Sequence, residues 1–464
     1  MPKHDLLVTG DCTAAYVAAI EAARLGWDVG LVVSAGASRL GPPILPRIRQ
    51  ALACRQLDHA PGGGQSRRAS AWSLLAGGVE RALTTYVEAL EGERAEAGVR
   101  LLRGPARVRG TLEVEVGGET HCGGAVVIGV GVRPRRPAFF PFDDRVVCDR
   151  ESIFQSGVLP RSLAVVGANE PGCELACLFA AFGVAVVLVD RRARLMRSVD
   201  RDLLALLHAR MQQAGVEVVL EEEIEAIRVD GHPREPHAEL RLGSGRVERF
   251  ERLVVCAGSI PDLECPGSEQ LSLDRDAQGL IITDEYGRTS QPGVYAVGDV
   301  AGVPSNLGTQ IHRARVAALH ALHLEPTLEE HPPTVIHTIP EIASVGLSEE
   351  ACGRLGLPHV VGISAYPPRL FWESGAWEEG LLKLVVEAEQ GRLVGVHVIG
   401  RNAGDALQLG AEFLRQGASA ERLAGAILNA PGASEAYRLA ACRALEKTAG
   451  HRKPARLRLE PSPA

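Results

Sequence analysis

The sequence has no CxxC pair, no HxxxH or HExxH spacing and no excess of positive charge. Its ten cysteines are scattered, without the framework of a redox or zinc site, and read as reduced, buried small hydrophobes. The fourteen histidines lack the helical spacing of a zinc hydrolase, so no metal site is expected. A formal charge of −7 argues against a general nucleic-acid binder, which would be basic. No apolar run approaches the ~18 residues of a membrane span. The N-terminal MPKHDLLVTG enters a strand pattern directly, without the apolar region and cleavage site of a signal peptide. The expected location is therefore the cytoplasm.

What is present is glycine, 51 residues of it, in a chain of 464 that can form roughly three domains at ~150 residues each. One grammar occurs twice. The strand DLLVT (5–9) is followed by a turn at Gly10, the helical run AAYVAAIEAARLG and a second strand at Val29–Val33. Strand Leu163–Val166 is likewise followed by a turn at Gly167–Gly172, a helix Cys173–Phe182 and a strand Val184–Val189 ending at Asp190. Each is the βαβ unit that opens a dinucleotide fold. A third block runs from the strand at Leu253–Gly258 to TSQPGVYAVGDVAG (Thr289–Gly302) and a helix Gln310–Leu324. Beyond about residue 330, short strands (Lys383–Val386, Val394–Ile399) alternate with helices (Gly404–Gln416, Ala420–Ile427), as in an α+β domain. The stretch PGGGQSRRAS (61–70) reads as a flexible loop and the basic, Pro-rich tail as disordered.

In order, the segments DLLVTG…AAYVAAIEAARLG, VVGANEPGCELA, VCAGSIPD, EYGRTSQPGVYAVGDVAG, IPEIASVGLSE, GLLKLVV and GVHVIGRNAGD resemble the pyridine nucleotide-disulfide oxidoreductases over nearly the whole chain. That family includes dihydrolipoamide dehydrogenase, glutathione reductase and mercuric reductase. The resemblance implies an α/β fold with two Rossmann-like dinucleotide-binding domains and a C-terminal α+β dimerisation domain. The FAD-type domain would take residues 1–150 and 271–328, the NAD(P)-type domain 151–270, the dimerisation domain 329–450 and the disordered tail 451–464. A homodimer is implied by the family alone.

The first phosphate loop, expected as GxGxxG, reads Gly10, Cys12, Ala15. Its second glycine lets backbone approach a pyrophosphate, and Cys12 puts a side chain there. The acid expected after the next strand is replaced by Val33 or Ser34. Gly298 and Asp299 match the family's GD pair, whose aspartate resembles a partner of the FAD ribityl chain; the plain alternative is a strand-end aspartate capping a turn. The second loop reads Gly167, Asn169, Gly172, with Gly258 in a later small-residue turn. Asparagine tolerates positive φ, so that turn is expected to survive, with its helix N-terminus offered to phosphate. Asp190 suits the 2′-hydroxyl of NAD, whereas Arg191 and Arg197 resemble the arginines that meet the 2′-phosphate of NADP. NAD is slightly favoured.

The relay residues are missing. The family's CxxxxC should lie where the chain reads RLGPPILPRIR (39–49), and Cys54 stands alone. A dithiol relay needs two sulfurs within bonding reach. The lysine that the family places near the flavin is also absent in register, leaving Arg47 or Arg49 to supply charge, although its glutamate partner is matched by Glu174. The C-terminal HPTxSE motif reads APGASE, with Ala430 at the histidine and Glu435 retained. Without the imidazole there is no acid–base group to serve a thiol near neutral pH. Cys173 and Cys177 read as core thiols, and a redox role for His312 or His320 is disfavoured. Trp372 and Trp377 are candidates to cover a pocket or a dimer contact.

Two functions follow. One is an FAD-dependent NAD(P)H oxidoreductase without a dithiol relay, passing hydride through flavin to a diffusible acceptor. The other is a non-catalytic dimeric relative of dihydrolipoamide dehydrogenase, serving as a binding or assembly module with FAD weak or lost. A reductase using relocated cysteines such as Cys12 and Cys54 is the remaining alternative.

Overall fold

The computed structural model describes residues 3–33, 72, 81, 84–155, 157–231, 236–261, 271–302, 306–329, 331–366, 380–429 and 434–449. The chain forms two compact units, Met1–Arg194 with Gly215–Glu330, and Leu195–Ala214 with the chain from His331 onward.

The first unit holds both dinucleotide folds. Strand Lys3–Thr9 lies between Val29–Val33 and Glu119–Ile128, all parallel. Arg100–Arg103 extends this sheet on one side. On the other, an antiparallel meander of Glu113–Val116 and Ala106–Gly110 completes it, and Val294–Ala296 joins Glu119–Ile128 in parallel. Leu6, Leu7, Val8 and every residue of Val29–Val33 are buried, as a parallel sheet covered on both faces requires. The helix Thr13–Arg24 presents Ala14, Ala15, Ala18, Ala19 and Ala22 to that sheet and to helix Leu307–Ala321.

The second sheet is five-stranded and wholly parallel: Val216–Leu220, Ala185–Asp190, Ser162–Val166, Arg252–Val255, Val147–Asp149. Val147–Asp149, which the sequence boundary leaves with the first domain, pairs here. The antiparallel strands Ile224–Asp230, His237–Leu242 and Val247–Phe250 form a separate layer. Within Thr289–Gly302, the strand expected to end at Gly298-Asp299 is shorter, Val294–Ala296, and gives way to a single 3-10 turn at Gly298–Ala301.

The second unit is an antiparallel five-stranded sheet with helices Ala403–Arg415 and Glu435–Ala449. It also contains helix Arg201–Gln213, which in the sequence lies between two strands of the second parallel sheet. Lys383 anchors that helix. Lys383 is buried on the inner strand Gly380–Glu387, and its ammonium donates to Asp200 (3.1 Å), Asp202 (2.7 Å) and Glu349 (2.6 Å). Asp200 also caps the helix by accepting from the Asp202 N–H.

Candidate functional site: two glycine turns at the carboxyl ends of two sheets

Both loops start from a glycine that no other residue replaces. Gly10 has φ +122°, and a Cβ there would stand 2.1 Å from the Gly129 oxygen. Gly167 has φ +107°, and its Cβ would meet the Cys256 oxygen at 2.6 Å. Each therefore lets a strand turn tightly into a helix beside a neighbouring strand end, the place where open α/β sheets bind ligands.

The second positions diverge. Cys12 is the N-cap of helix Thr13–Arg24 in extended geometry (φ −81°, ψ 160°) and makes no side-chain cap hydrogen bond. Its sulfur lies 3.3 Å from where a Gly298 Cβ would be. Burial pushes the thiol up to about 12, against the pull of the Ala15 and Ala14 N–H groups, with Asp299 adding to the rise. Cys12 is thus a neutral thiol at the helix N-terminus, at the position where a pyrophosphate approaches a dinucleotide fold. Ala15 packs against Gly129, where a Cβ would come within 2.8 Å of its own.

Asn169 does not use the positive φ expected of it. It is extended (φ −83°, ψ −178°) and caps helix Glu170–Ala181, its Oδ1 accepting from the Gly172 N–H at 3.1 Å. Its Nδ2 donates to the Cys256 carbonyl at 2.8 Å. Pro171 follows in the first turn and has no N–H to give. Gly172 is needed for a different reason: a Cβ there would collide with the Gly167 oxygen at 1.8 Å. Asp190 is buried, and its carboxylate accepts from Ala168 N–H (2.6 Å) and Arg192 N–H (2.9 Å). The acid placed for a ribose therefore braces the loop. Arg191 and Arg197 are both exposed and fall in different compact units. Gly258 has φ +91° with open space around it, so it serves a turn and no close approach.

At the first sheet's carboxyl end, Gly298 takes φ +74° and Asp299 accepts from Gln310 Nε2 at 2.7 Å. Crowding by protein raises the Asp299 carboxyl, opposed by the Arg150 charge and by Gln310. Gln310 and Arg150 carried no motif. The only sequence sign of Gln310 is its place in the first turns of the helix that follows the GD pair.

The remaining candidates separate clearly. Cys173 and Cys177 are buried, and desolvation holds the Cys173 thiol well above its ordinary value, so they are core thiols. No group of three or more His, Cys, Asp or Glu among the described residues is arranged to hold a metal. His320 Nδ1 is 2.9 Å from the Tyr295 hydroxyl, a packing role. Glu174 is half-buried in its helix. Glu435 accepts from Arg438 Nη2 at 3.0 Å, one turn along its own helix. Ala430, Ser34, Arg47, Arg49, Cys54, Trp372, Trp377, the 61–70 loop and the tail lie outside the described residues. No helix among the described residues is long and apolar enough to cross a membrane.

Two Rossmann-type halves, each with a glycine turn at its carboxyl edge, followed by an antiparallel sheet unit, define a dinucleotide-dependent oxidoreductase scaffold. Residues 4–321 match the pyridine nucleotide-disulphide oxidoreductase family and residues 332–441 its dimerisation domain, and the chain belongs to that family of FAD- and NAD(P)-dependent oxidoreductases. A soluble pyridine nucleotide transhydrogenase of Mycobacterium bovis is 32% identical over 330 residues, 71% of this chain and 69% of that one. A dihydrolipoyl dehydrogenase of Thermus scotoductus is 31% identical over 469 residues, 97% of this chain and 99% of that one. Among solved structures, LpdA of Mycobacterium tuberculosis superposes with a TM-score of 0.85 at 18% identity, covering 96% of this chain and 99% of its own. RclA of Escherichia coli, titled an HOCl-induced flavoprotein disulfide reductase, gives 0.80 at 18% identity, covering 95% and 99%. The last two likenesses speak for the fold alone.

Proposed function

We propose that the chain holds FAD in its first dinucleotide fold, draws electrons from a nicotinamide nucleotide and passes them to an acceptor other than a disulfide. The observation that carries this reading is the first loop. Gly10 keeps the tight turn, Cys12 makes no side-chain cap hydrogen bond at the helix N-terminus, and Asp299 stands exposed at the neighbouring strand end. These residues fit a dinucleotide: backbone N–H groups at the start of helix Thr13–Arg24 would face its diphosphate, and Asp299, set by Gln310, a sugar-type hydroxyl. Bound flavin supplies the redox chemistry, and the chain supplies binding and orientation. The missing CxxxxC and the alanine at position 430 argue against a disulfide acceptor, as does the relative named for exchange between pyridine nucleotides. NAD is placed ahead of NADP because Asp190 would repel a 2′-phosphate. The homodimer rests on the dimerisation-domain match, and the cytoplasmic location on the sequence reading.

One observation favours the second reading, a non-catalytic binding module. Asn169 already occupies the Gly172 N–H that a phosphate would use, and Asp190 is committed to the loop backbone.

The test is the visible spectrum of the purified protein with released FAD quantified, then anaerobic titration with NADH and NADPH. About one FAD per chain, bleached by either nucleotide and reoxidised by a quinone or a second nucleotide but not by lipoamide or glutathione disulfide, is the expected result. Bound FAD that neither nucleotide reduces would favour the non-catalytic reading, and a colourless chain that takes up no FAD would defeat the proposal.

A further inference from the structure

Arg150 follows the edge strand Val147–Asp149 of the second parallel sheet. The register pairs Val255 with Asp149 and with Val166, so Arg150 stands level with Cys256 and Gly167 at the carboxyl edge. Its side chain is 23% exposed. Its nearest carboxylate is Glu151, itself 62% exposed and 4.0 Å away, too far for a hydrogen bond and too solvated to matter much. Among the described residues no acceptor receives a hydrogen bond from this guanidinium. Its charge nevertheless acts on two groups: it is the largest influence lowering the Asp299 carboxyl, which follows the first sheet's strand Val294–Ala296, and it lowers the Cys256 thiol, which flanks the second loop. Arg150 thus carries a charge within electrostatic reach of a group at each carboxyl edge, within one compact unit.

The Arg150 side chain is about three-quarters covered, and its five N–H donors have no hydrogen-bond acceptor among the described residues. Arg136, nearby in sequence, shows the ordinary outcome: it is hydrogen-bonded to Asp144 and Asp149. An arginine with no acceptor among the described residues, at the edge where open α/β sheets bind ligands, is arranged for an acceptor that arrives with the ligand.

We propose that Arg150 is a positioning residue for the bound FAD, placing a fixed positive charge against an anionic part of it, either the diphosphate or the ring system once reduced. The inference rests on the reading that this chain holds FAD. It also assigns the cation that the sequence lacks in register after the first two strands, on a residue about 100 positions further along than Arg47 and Arg49.

The experiment compares wild type with Arg150→Gln and Arg150→Lys in three measurements: FAD affinity of deflavinated protein, its salt dependence, and the midpoint potential of the bound flavin. A diphosphate contact predicts about tenfold weaker FAD binding in Arg150→Gln, a shallower salt dependence and partial rescue by lysine. A ring contact predicts near-normal affinity with a more negative potential in Arg150→Gln and a value close to wild type in Arg150→Lys. Equal affinity, salt dependence and potential in all three proteins would overturn the inference while leaving the proposed function standing. Wild type that binds no FAD would remove both.

Discussion

The two glycine loops share one topology and part most clearly at the second glycine position, Cys12 in one and Asn169 in the other. In both, a positive-φ glycine leaves a strand and an extended residue starts a helix. Asn169 turns back on its helix and makes two hydrogen bonds, one to the Gly172 N–H and one to the Cys256 carbonyl. Cys12 occupies the same place with a protonated thiol and no cap bond. A side chain at the second glycine position therefore has two outcomes. An amide satisfies the helix N-terminus itself and competes with phosphate. A thiol obstructs chiefly by its bulk, with only weak contacts to the Ala15 and Ala14 N–H groups to give up when it moves.

The largest effect that would break the comparison is at its common part. Gly10→Ala forces a Cβ to 2.1 Å from backbone oxygen at positive φ, and should cost at least about 3 kcal/mol of stability, read by thermal or urea unfolding. Next, Asn169→Gly removes the internal cap and is expected to tighten NADH binding about tenfold, or 1.4 kcal/mol, for a few tenths of a kcal/mol in stability. Unchanged affinity by calorimetry would mean that Asn169 does not compete with the nucleotide. Cys12→Gly should strengthen FAD binding by a smaller factor, about threefold, and Cys12→Ser should differ little from wild type; weaker binding in the glycine variant would contradict the bulk argument. The smallest effect is on titration. Because burial holds the Cys12 thiol up to about 12, its alkylation should stay slow at pH 8 and rise only as pH approaches that value. Mass spectrometry of iodoacetamide-treated protein at stepped pH would report it. The thiol binds its proton more tightly folded than unfolded, so this group favours the fold at neutral pH. That contribution falls as pH passes through its ordinary value toward the raised one.

The sequence carried the architecture because glycine spacing and apolar strands are local signals: Val29–Val33 and the turns at Gly10 and Gly167 stand where the spacing puts them. The expectation for Asn169 went wrong in kind. Its residue type suits positive φ, yet the Cys256 carbonyl and the Gly172 N–H three residues on hold it extended. Asp190 was legible as a strand-end acid but not as a loop brace, since its partners are backbone N–H groups set by tertiary folding. Arg150 and Gln310 were invisible for the same reason, and Lys383 reads as a lone polar residue in the apolar run GLLKLVV, with nothing local to name its partners.

Lys383 and Asp200 lie 183 residues apart in the chain and meet in one buried ion pair. A ribosome therefore delivers the helix that carries Asp200 long before the strand that neutralises it exists. Until residue 383 emerges, Arg201–Gln213 has no sheet of its own to settle on, and its capping carboxylate stays hydrated. A truncated product beginning at His331 would contain the lysine without two of its three counter-charges, and a fragment ending there would contain those two carboxylates without the lysine. The C-terminal unit is thus indivisible at the chain position where a domain cut looks most natural.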